Sequence, residues 1–277
     1  MIIETIKQFL DGSTKPFLAL SNIGKSVVVK ALLQPTKGKI LFNEFVSGSL
    51  ANQIGLPWPQ TSLATLSPLS IEWLKGQSIH VSSPDCVAMN FIENLVPVPW
   101  PKLTEKGPGG KLISHQLSEV NPTYLAKYFA DPENQSAFYG RALFELWLFF
   151  QDTKYDTLFS LADKTPLFVD GSLALGGSEW DFEELDYAKS KCFPQSPYLE
   201  GILTNRELFL GWFSRIESVE KHYIRSIIDA IPASWEIIQP QLDFILELLT
   251  AKRRDFLQVW KYELLENPYS GESLLKW

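Results

Sequence analysis

Apolar residues follow recognisable periods along the first hundred residues of the chain. Apolar residues at positions 2, 3, 6, 9 and 10 predict a short amphipathic helix over Ile2–Leu10. Two runs further on, Phe17–Leu20 and Val27–Leu33, are rich in the residues typical of strands, and the short loop between them predicts a hairpin. A longer helical period over Ile40–Leu56, which Gly55 ends, predicts the main helix of this part.

More strands follow, and then the chain becomes rich in proline. Strands are predicted over Ser62–Leu66, Ile71–Leu74 and Cys86–Ile92. The proline-rich passage Pro97–Pro101 stiffens the chain at this point and predicts a boundary between two lobes. We therefore expect an N-terminal lobe over residues 1–98 and a C-terminal lobe over residues 99–277, together forming one domain.

The second lobe is predicted to be mainly helical, with one hairpin formed by strands at Leu158–Leu161 and Leu167–Val169. The basic cluster Lys252–Arg254 is interpreted as a solvated helix face. The fold class is therefore α+β, with a small β-rich N-lobe that holds one main helix and a larger, mostly helical C-lobe. Helices are predicted over Pro122–Phe129, Gln135–Phe150, Asn205–Phe213, Ile216–Ile231 and Trp235–Leu265.

Composition narrows the classes of function. The chain has 277 residues, 45% hydrophobic and 21% charged, as in an ordinary globular protein. A net charge of −7 argues against a nucleic-acid partner, because phosphate binding needs a basic surface. Cys86 and Cys192 lack metal-site spacing and are expected to be free thiols in a reducing compartment. Without an apolar run long enough for a membrane or a signal peptide, the expected location is cytoplasmic.

Two aspartates flank the predicted hairpin of the second lobe. Asp152 precedes the first strand and Asp170 follows the second, so the hairpin brings both carboxylates close together. One carboxylate that orients a hydroxyl and one that holds a metal ion are what phosphoryl transfer requires. The alternative is that both are ordinary turn residues, since aspartate is favoured in turns.

The predicted N-lobe contains a lysine on a strand and a glutamate on the helix that follows. Lys30 lies inside a predicted strand, and Glu44 lies 14 residues later in the main helix. Together with the hairpin loop Ser21–Ser26, which contains Gly24, they suggest a lobe that holds ATP. The alternative for Lys30 is a side chain that points to solvent. The loop is not a Walker A motif, because the first glycine is absent and the loop leads into a strand.

Several stretches resemble the HipA-like kinases, and among them the short stand-alone bacterial members. They are V-V-V-K ending at Lys30, N-E-F-V-S-G-S-L-A-N-Q-I-G-L-P-W-P from Asn43, L-W-L-F-F-Q-D-T-K-Y-D-T-L-F from Leu146, F-V-D-G-S-L-A-L-G-G from Phe168, and I-P-A-S-W-E near the C-terminus. The resemblance covers nearly the whole chain. It implies a two-lobed protein-kinase-like fold that uses ATP and Mg²⁺ to phosphorylate serine or threonine in protein substrates, sometimes as a toxin with an antitoxin-like companion protein.

The resemblance also implies a role for each matching residue. Lys30 would contact the α- and β-phosphates of ATP, Glu44 would orient Lys30, and the Gly24 loop would cover the phosphates. Asp152 would accept the hydrogen bond of the substrate hydroxyl, and Asp170 would ligate Mg²⁺. The adenine would be read by the backbone of the segment Phe91, Ile92, Glu93 and Leu95.

The chain departs from the family at one metal ligand. Where the family has an asparagine five residues after the catalytic aspartate, this chain has Thr157, with Asp156 before it, and either offers an oxygen to Mg²⁺. Three interpretations stay open: an active protein kinase, a kinase-fold module that binds nucleotide or regulates without catalysis, and a small-molecule phosphotransferase. The acidic segment Glu179–Asp186, which suits a cationic substrate, supports the third.

Overall fold

The computed structural model describes residues 1–33, 37–97, 105–106, 112–113, 131–151, 157–160, 162, 164–187 and 205–266. The strands are β1 (Ile2–Phe9), β2 (Phe17–Ser21), β3 (Ser26–Leu33), β4 (Thr61–Leu66), β5 (Val81–Asn90), β6 (Leu95–Pro97), β7 (Glu105–Lys106), β8 (Leu112–Ile113), β9 (Thr157–Ser160) and β10 (Pro166–Phe168). The α-helices are α1 (Gly38–Gln53), α2 (Pro68–Gly76), α3 (Pro132–Leu148), α4 (Phe182–Tyr187), α5 (Arg206–Glu217), α6 (Lys221–Asp229), α7 (Gln239–Glu247) and α8 (Arg253–Glu266).

The first five strands close into a barrel with the order β1-β2-β3-β5-β4. Neighbours are antiparallel except for β1 and β4, which close the barrel as a parallel pair. The β2–β3 hairpin and the main helix α1 lie where the sequence predicts them. The N-terminal region is therefore β-rich, as expected, and the described residues that follow it are mostly helical.

The helix predicted over Ile2–Leu10 is wrong, because this segment is strand β1. Its pairing with β2 shifts register between Ile3 and Thr5 and again between Ile6 and Gln8. Each bulge interrupts the alternation of faces, so Ile3 and Ile6 both face the barrel interior although they are three residues apart. A bulged strand thus imitates the spacing of an amphipathic helix.

The strand predicted over Ile71–Leu74 is also wrong, because these residues lie in helix α2. Ser67 caps the helix by accepting a hydrogen bond from the Ser70 amide at 3.2 Å, and Pro68 occupies the first turn. Serine followed by proline is a recognisable helix start, and this signal competes with the apolar run that suggested a strand.

Helix α1 lies between the barrel and the C-terminal helices. Its buried residues include both apolar and polar side chains along most of its length. A side chain at Gly38 would overlap the backbone of Trp235, and one at Gly48 would overlap Thr61. Close contacts on two sides therefore hold α1 in one position.

The last predicted helix, Trp235–Leu265, is interrupted in the structure. A 3₁₀ turn (Ala233–Trp235) precedes α7, and a π-helical turn (Leu248–Lys252) joins α7 to α8. The wider turn shifts the helical phase, so Arg253 faces inward, fully buried, and donates hydrogen bonds to the carbonyl oxygens of Leu146 and Trp147. The prediction of a solvated basic face is therefore wrong for Arg253, which instead satisfies carbonyls at the C-terminal end of α3.

The sequence also predicts a free thiol at Cys86 and no membrane-spanning segment. Cys86 is a buried free thiol, as predicted. Within the described ranges, no helix is long and apolar enough to cross a membrane. The helix predicted over Pro122–Phe129 and the second cysteine, Cys192, lie outside the described residues.

Candidate functional site

Lys30 projects from the outer face of the barrel towards α1. Along β3, Val29 and Ala31 belong to the barrel interior, so the alternation of a strand turns Lys30 outward. Its side chain is only 10% exposed, and its Nζ lies 2.7 Å from Glu44 Oε2 and 3.0 Å from Asp170 Oδ1. The alternative of a solvent-facing lysine is therefore excluded by the geometry, and the predicted Lys30–Glu44 ion pair is present.

Glu44 is fully buried in α1 and connects the lysine to the chain after Asp170. Its Oε2 accepts hydrogen bonds from Lys30 Nζ and from the backbone amide of Gly171, the latter at 3.1 Å. Its Oε1 has no hydrogen-bond partner among the described residues. One carboxylate oxygen thus binds β3 and the Asp170 segment at the same time.

Asp170 follows β10, which pairs antiparallel with β9 in a small sheet that also contains β6. Its backbone is left-handed, with φ of 64°, a conformation in which aspartate is one of the tolerated side chains. The Ser172 hydroxyl donates to Asp170 Oδ1 at 2.5 Å, and the Ser172 amide donates to the same oxygen at 3.3 Å. These bonds, together with Lys30, set the orientation of the carboxylate.

The three charges alter one another's protonation. Burial lowers the pKa of Lys30, but the negative charges of Glu44 and Asp170 outweigh burial and raise it above its ordinary value. Burial raises the pKa of Asp170, but the Lys30 charge and the Ser172 hydrogen bonds reverse the effect and lower it to about 2. Burial raises the pKa of Glu44, and Lys30 opposes this rise. Lys30 is thus charged at neutral pH and faces an ionised Asp170.

The segment that leads into Asp152 runs beside the segment that leaves Asp170. The Gln151 amide donates to the Leu173 carbonyl at 3.0 Å, and the Leu175 amide donates to the Leu148 carbonyl at 2.8 Å. The residue before Asp152 is therefore hydrogen-bonded three residues past Asp170. Asp152 itself lies outside the described residues, and its role stays a prediction.

Asp170 suits a divalent metal ion in one respect. Its Oδ2 makes no hydrogen bond to the described residues, and 43% of its side chain is exposed, so a hard oxygen is available. Asp156 and the side chain of Thr157 lie outside the described part of the chain. The backbone of Thr157 belongs to β9 and pairs with Phe168. Among the described residues no group of three or more His, Cys, Asp or Glu side chains is arranged for a metal ion. Asp170 therefore fits as one Mg²⁺ ligand, and the other protein ligands stay predictions.

The loop that holds Gly24 is a tight hairpin. Gly24 has a left-handed φ of 74°, and its amide donates to the Ser21 carbonyl at 2.9 Å. The Lys25 amide donates to the Ser21 hydroxyl at 3.2 Å, and the Asn22 amide donates to the Ile2 carbonyl at 2.9 Å. Because these amides are already paired, the loop in this conformation offers few donors to phosphates, and a phosphate contact at Gly24 stays a prediction.

The segment predicted to read adenine joins the barrel to the small sheet. The Phe91 amide donates to the Ser26 carbonyl at 3.1 Å, and Leu95 pairs with Ser160 in β9. Between them, Ile92 and exposed Glu93 lie outside any strand. The segment therefore has backbone available for a ligand, although nothing in the geometry assigns it to adenine.

Two contributors to the site were not predicted. Asn43 precedes Glu44 in α1 and donates its side-chain amide to the loop after Asp170, and Ser172 orients Asp170. A polar residue beside the glutamate, within a buried helix, was the available signal for Asn43. Its acceptors lie about 130 residues away, between 129 and 134 positions along the chain, so no local pattern identifies them.

The chain is similar to known kinases in sequence and in fold. A family model described as HipA-like kinase matches residues 2–105, which confirms the resemblance to this family. No curated protein matches the chain. The crystal structure of a Helicobacter pylori proinflammatory kinase, CtkA, is similar with a TM-score of 0.63 and 16% identity, over 96% of this chain and 98% of that chain.

The Golgi casein kinase gives a more distant likeness. One structure has a TM-score of 0.51 and 10% identity, over 96% of this chain and 75% of that chain. A second structure, with Mn/ADP bound, has a TM-score of 0.50 and 11% identity over the same shares. At these identities the likenesses establish a kinase-like fold of mixed α and β structure with a β-rich N-terminal region.

Proposed function

We propose that this chain, with its kinase-like fold and HipA-like N-terminal region, is a Mg-ATP-dependent serine/threonine protein kinase. The observation that carries the proposal is the position of Lys30 Nζ, 2.7 Å from Glu44 Oε2 and 3.0 Å from Asp170 Oδ1. A lysine on a strand, a glutamate on the main helix and an aspartate after a hairpin are the groups that kinases use to hold nucleotide and metal. The choice of protein serine or threonine as acceptor, and a toxin-like role, come from the HipA-like resemblance.

Each residue has a distinct task in this proposal. When bound, ATP would supply the phosphoryl group, and Mg²⁺ would supply positive charge that offsets the charge of the phosphates. Lys30 binds the α- and β-phosphates, Glu44 holds Lys30 in position, and Asp170 contributes a carboxylate oxygen to the metal. The nucleotide would lie between a β-rich N-terminal lobe and a helical C-terminal lobe.

Asp152 handles the acceptor. As the acceptor oxygen bonds to the γ-phosphorus, the bond from that phosphorus to the β–γ bridging oxygen breaks, and ADP leaves. The Asp152 carboxylate accepts the hydrogen bond of the hydroxyl and orients it, and the hydroxyl proton leaves through this carboxylate. The products are a phosphorylated protein and ADP.

One feature favours a second function, a kinase-fold module that binds nucleotide without efficient transfer. Thr157 occupies the position where HipA-like kinases have an asparagine that binds metal. A hydroxyl is a weaker Mg²⁺ ligand than an amide carbonyl, and loss of the second ligand would leave the phosphates less well neutralised.

Paired variants separate nucleotide binding from transfer. Asp170→Asn removes an anionic metal ligand, so we expect weaker binding of Mg-ATP in calorimetric titration. Asp152→Asn should leave Mg-ATP binding nearly unchanged and lower phosphate transfer by ~10²–10⁴, measured with radiolabelled ATP and a generic protein substrate. Lys75→Ala, an exposed residue of α2, is the control and should behave like the parent.

The outcome for the parent protein decides between the two functions. Labelling that Asp152→Asn removes supports the kinase. Binding of Mg-ATP without such labelling contradicts the kinase and supports the non-catalytic module, and a gain of labelling in Thr157→Asn would then locate the defect at that position. If the parent does not bind Mg-ATP, both functions fail.

A further inference from the structure

Asn43 is a fully buried polar residue in α1, and its side-chain amide faces the loop that follows Asp170. Its Nδ2 donates to the carbonyl oxygens of Ser172 at 2.9 Å, Ala174 at 2.8 Å and Gly177 at 2.8 Å. An amide group has two N–H donors, so three acceptors share them. A single side chain therefore gathers three backbone carbonyls of one loop.

The other end of the same amide is also used. Asn43 Oδ1 accepts a hydrogen bond from Trp180 Nε1 at 2.9 Å. The Trp180 ring packs edge-on against Phe42 at 5.8 Å between ring centroids, and Lys39 Nζ donates to the Trp180 carbonyl at 2.6 Å. The loop from Gly171 to Trp180 is thus attached to α1 at several points between its first and last residues.

This loop depends on such donors because it has little regular structure of its own. Leu175, Gly176 and Gly177 have left-handed φ values of 56°, 90° and 115°, so this part of the chain belongs to neither a helix nor a strand. Buried carbonyls without a partner are costly. The Ala174 carbonyl also accepts from the Gly177 amide at 3.1 Å, and Asn43 adds a donor to Ala174 and provides one for Ser172 and Gly177.

We infer that Asn43 is a positioning residue that holds the Gly171–Trp180 loop on α1 and so aligns Asp170 with Lys30 and Glu44 for metal-dependent binding of ATP. Asn43 and Glu44 are consecutive in one helix. The hydrogen bonds from Asn43 to the three loop carbonyls, called the carbonyl clamp below, and the carboxylate of Glu44 that binds Lys30 are therefore held by the same element. Glu44 accepts the Gly171 amide at the start of the loop, while Asn43 binds from Ser172 onward. The inference rests on the proposed function for its metal and nucleotide.

The chain provides a test variant and a matched control. Asn43→Asp keeps the size of the side chain and an acceptor for Trp180, but it places a carboxylate without donors against three carbonyls. Asn52, in the same helix, also uses both ends of its amide, donating to the Trp58 carbonyl and accepting from the Thr61 amide. Neither partner of Asn52 lies in the loop, so Asn52→Asp tests loss of an amide with two partners in the same helix, at a half-buried position, without the positioning role.

The first measurement is hydrogen exchange of the nucleotide-free and metal-free protein. We expect Asn43→Asp to speed exchange of peptides covering residues 171–180, with little change in the barrel strands. Asn52→Asp should affect residues 52–61 instead. Loop exchange in Asn43→Asp equal to that of the parent would overturn the carbonyl clamp.

The second measurement is the ratio of the ATP dissociation constants without and with Mg²⁺, which is the gain in ATP affinity that depends on Mg²⁺. If Asn43 aligns Asp170, Asn43→Asp should lose about tenfold or more of the Mg²⁺-dependent gain, as for loss of an outer partner of a metal ligand, while metal-free binding changes little. Asn52→Asp should keep the parent's gain. An unchanged gain in Asn43→Asp, or an equal loss in both variants, overturns the positioning role.

Trp180→Phe provides a second variant in case Asn43→Asp does not fold. It removes the N–H that fixes Asn43 Oδ1, together with part of the buried ring that packs against Phe42, and it leaves the Asn43 amide in place. We expect changes in the same direction in both measurements, and no change would overturn the inference. If the parent shows no Mg²⁺-dependent ATP binding, the proposed function fails, and loop exchange alone then supports or overturns the clamp.

Discussion

At the scale of single residues, the site places one lysine and two carboxyl groups close together in a largely buried position. The Lys30 and Glu44 side chains are 10% and 0% exposed, so neither is well solvated. Removing one partner of a buried ion pair costs more than removing both, because the remaining charge has no compensation. Lys30 therefore contributes to stability as well as to the proposed binding of ATP.

We predict that Lys30→Met lowers the free energy of unfolding by about 3–5 kcal/mol, the cost of leaving a buried carboxylate without its partner. The double variant Lys30→Met with Glu44→Gln should be more stable than Lys30→Met alone, because the glutamine is neutral and still accepts from the Gly171 amide. Urea unfolding measures both. Lys75→Met, on the exposed face of α2, is the control. A double variant that is no more stable than Lys30→Met would contradict the prediction.

At the scale of elements, the site depends on how closely α1 approaches the Asp170 segment. A Cβ atom at Gly171 would overlap Ser47 Cβ and lie 2.8 Å from Ser47 Oγ. The constraint on Gly171 is therefore space rather than backbone conformation. Ser47 is one helical turn after Glu44, so the same face of α1 carries the carboxylate and the surface against which Gly171 packs.

We predict that Gly171→Ala costs about 1–3 kcal/mol of stability through overpacking and weakens Mg-ATP binding, because it pushes Asp170 away from Lys30. Adding Ser47→Gly should restore binding by removing the overlapping atoms, although a glycine in a helix costs about 1 kcal/mol itself. Gly211→Ala in α5, where a Cβ meets nothing within 4 Å, is the matched control and should not weaken binding. Binding that Ser47→Gly does not restore would show that close approach is not the cause.

At the scale of the whole molecule, two apolar clusters share the barrel strands. Val29 and Ala88 belong to the cluster inside the barrel. Leu32 and Val87, on the opposite faces of the same two strands, belong to the larger cluster formed with α1 and the C-terminal helices. Loss of the helical core would therefore remove packing from the outside of the barrel.

We predict that the described parts of the chain unfold together, because the shared strands couple the two clusters. Cys86 reports on the barrel: it is buried, and burial raises the pKa of its thiol, so it should react with thiol reagents only after unfolding. In Cys192→Ser, the urea midpoint of Cys86 labelling should coincide with that of tryptophan fluorescence. Protection of Cys86 beyond the fluorescence transition would show that the barrel unfolds separately.

Elements whose signals are local could be predicted from the amino-acid sequence alone. The β2–β3 hairpin, the main helix and the β9–β10 hairpin follow from turns, caps and periodicity within short windows, and the structure confirms them. The pair Lys30 and Glu44 was also predictable, since a strand and the next helix carry them at a short spacing. Where a bulge or a competing cap altered the period, as in β1 and α2, local patterns gave the wrong element.

Contacts between segments that are distant in the chain could not be predicted in this way. Asn43 binds carbonyls 129 to 134 residues away, and Arg253 binds the end of a helix more than 100 residues earlier, at a separation of 106 from Trp147. Such contacts depend on where a loop or helix end lies after packing, and a polar side chain has the same local pattern whether it faces water or a buried carbonyl. Burial and partner choice are properties of the packed molecule. The pairing of Lys30 with Glu44 could therefore be expected from spacing, but the contact of Asp170 with Lys30 and the residues that hold Asp170 there could not.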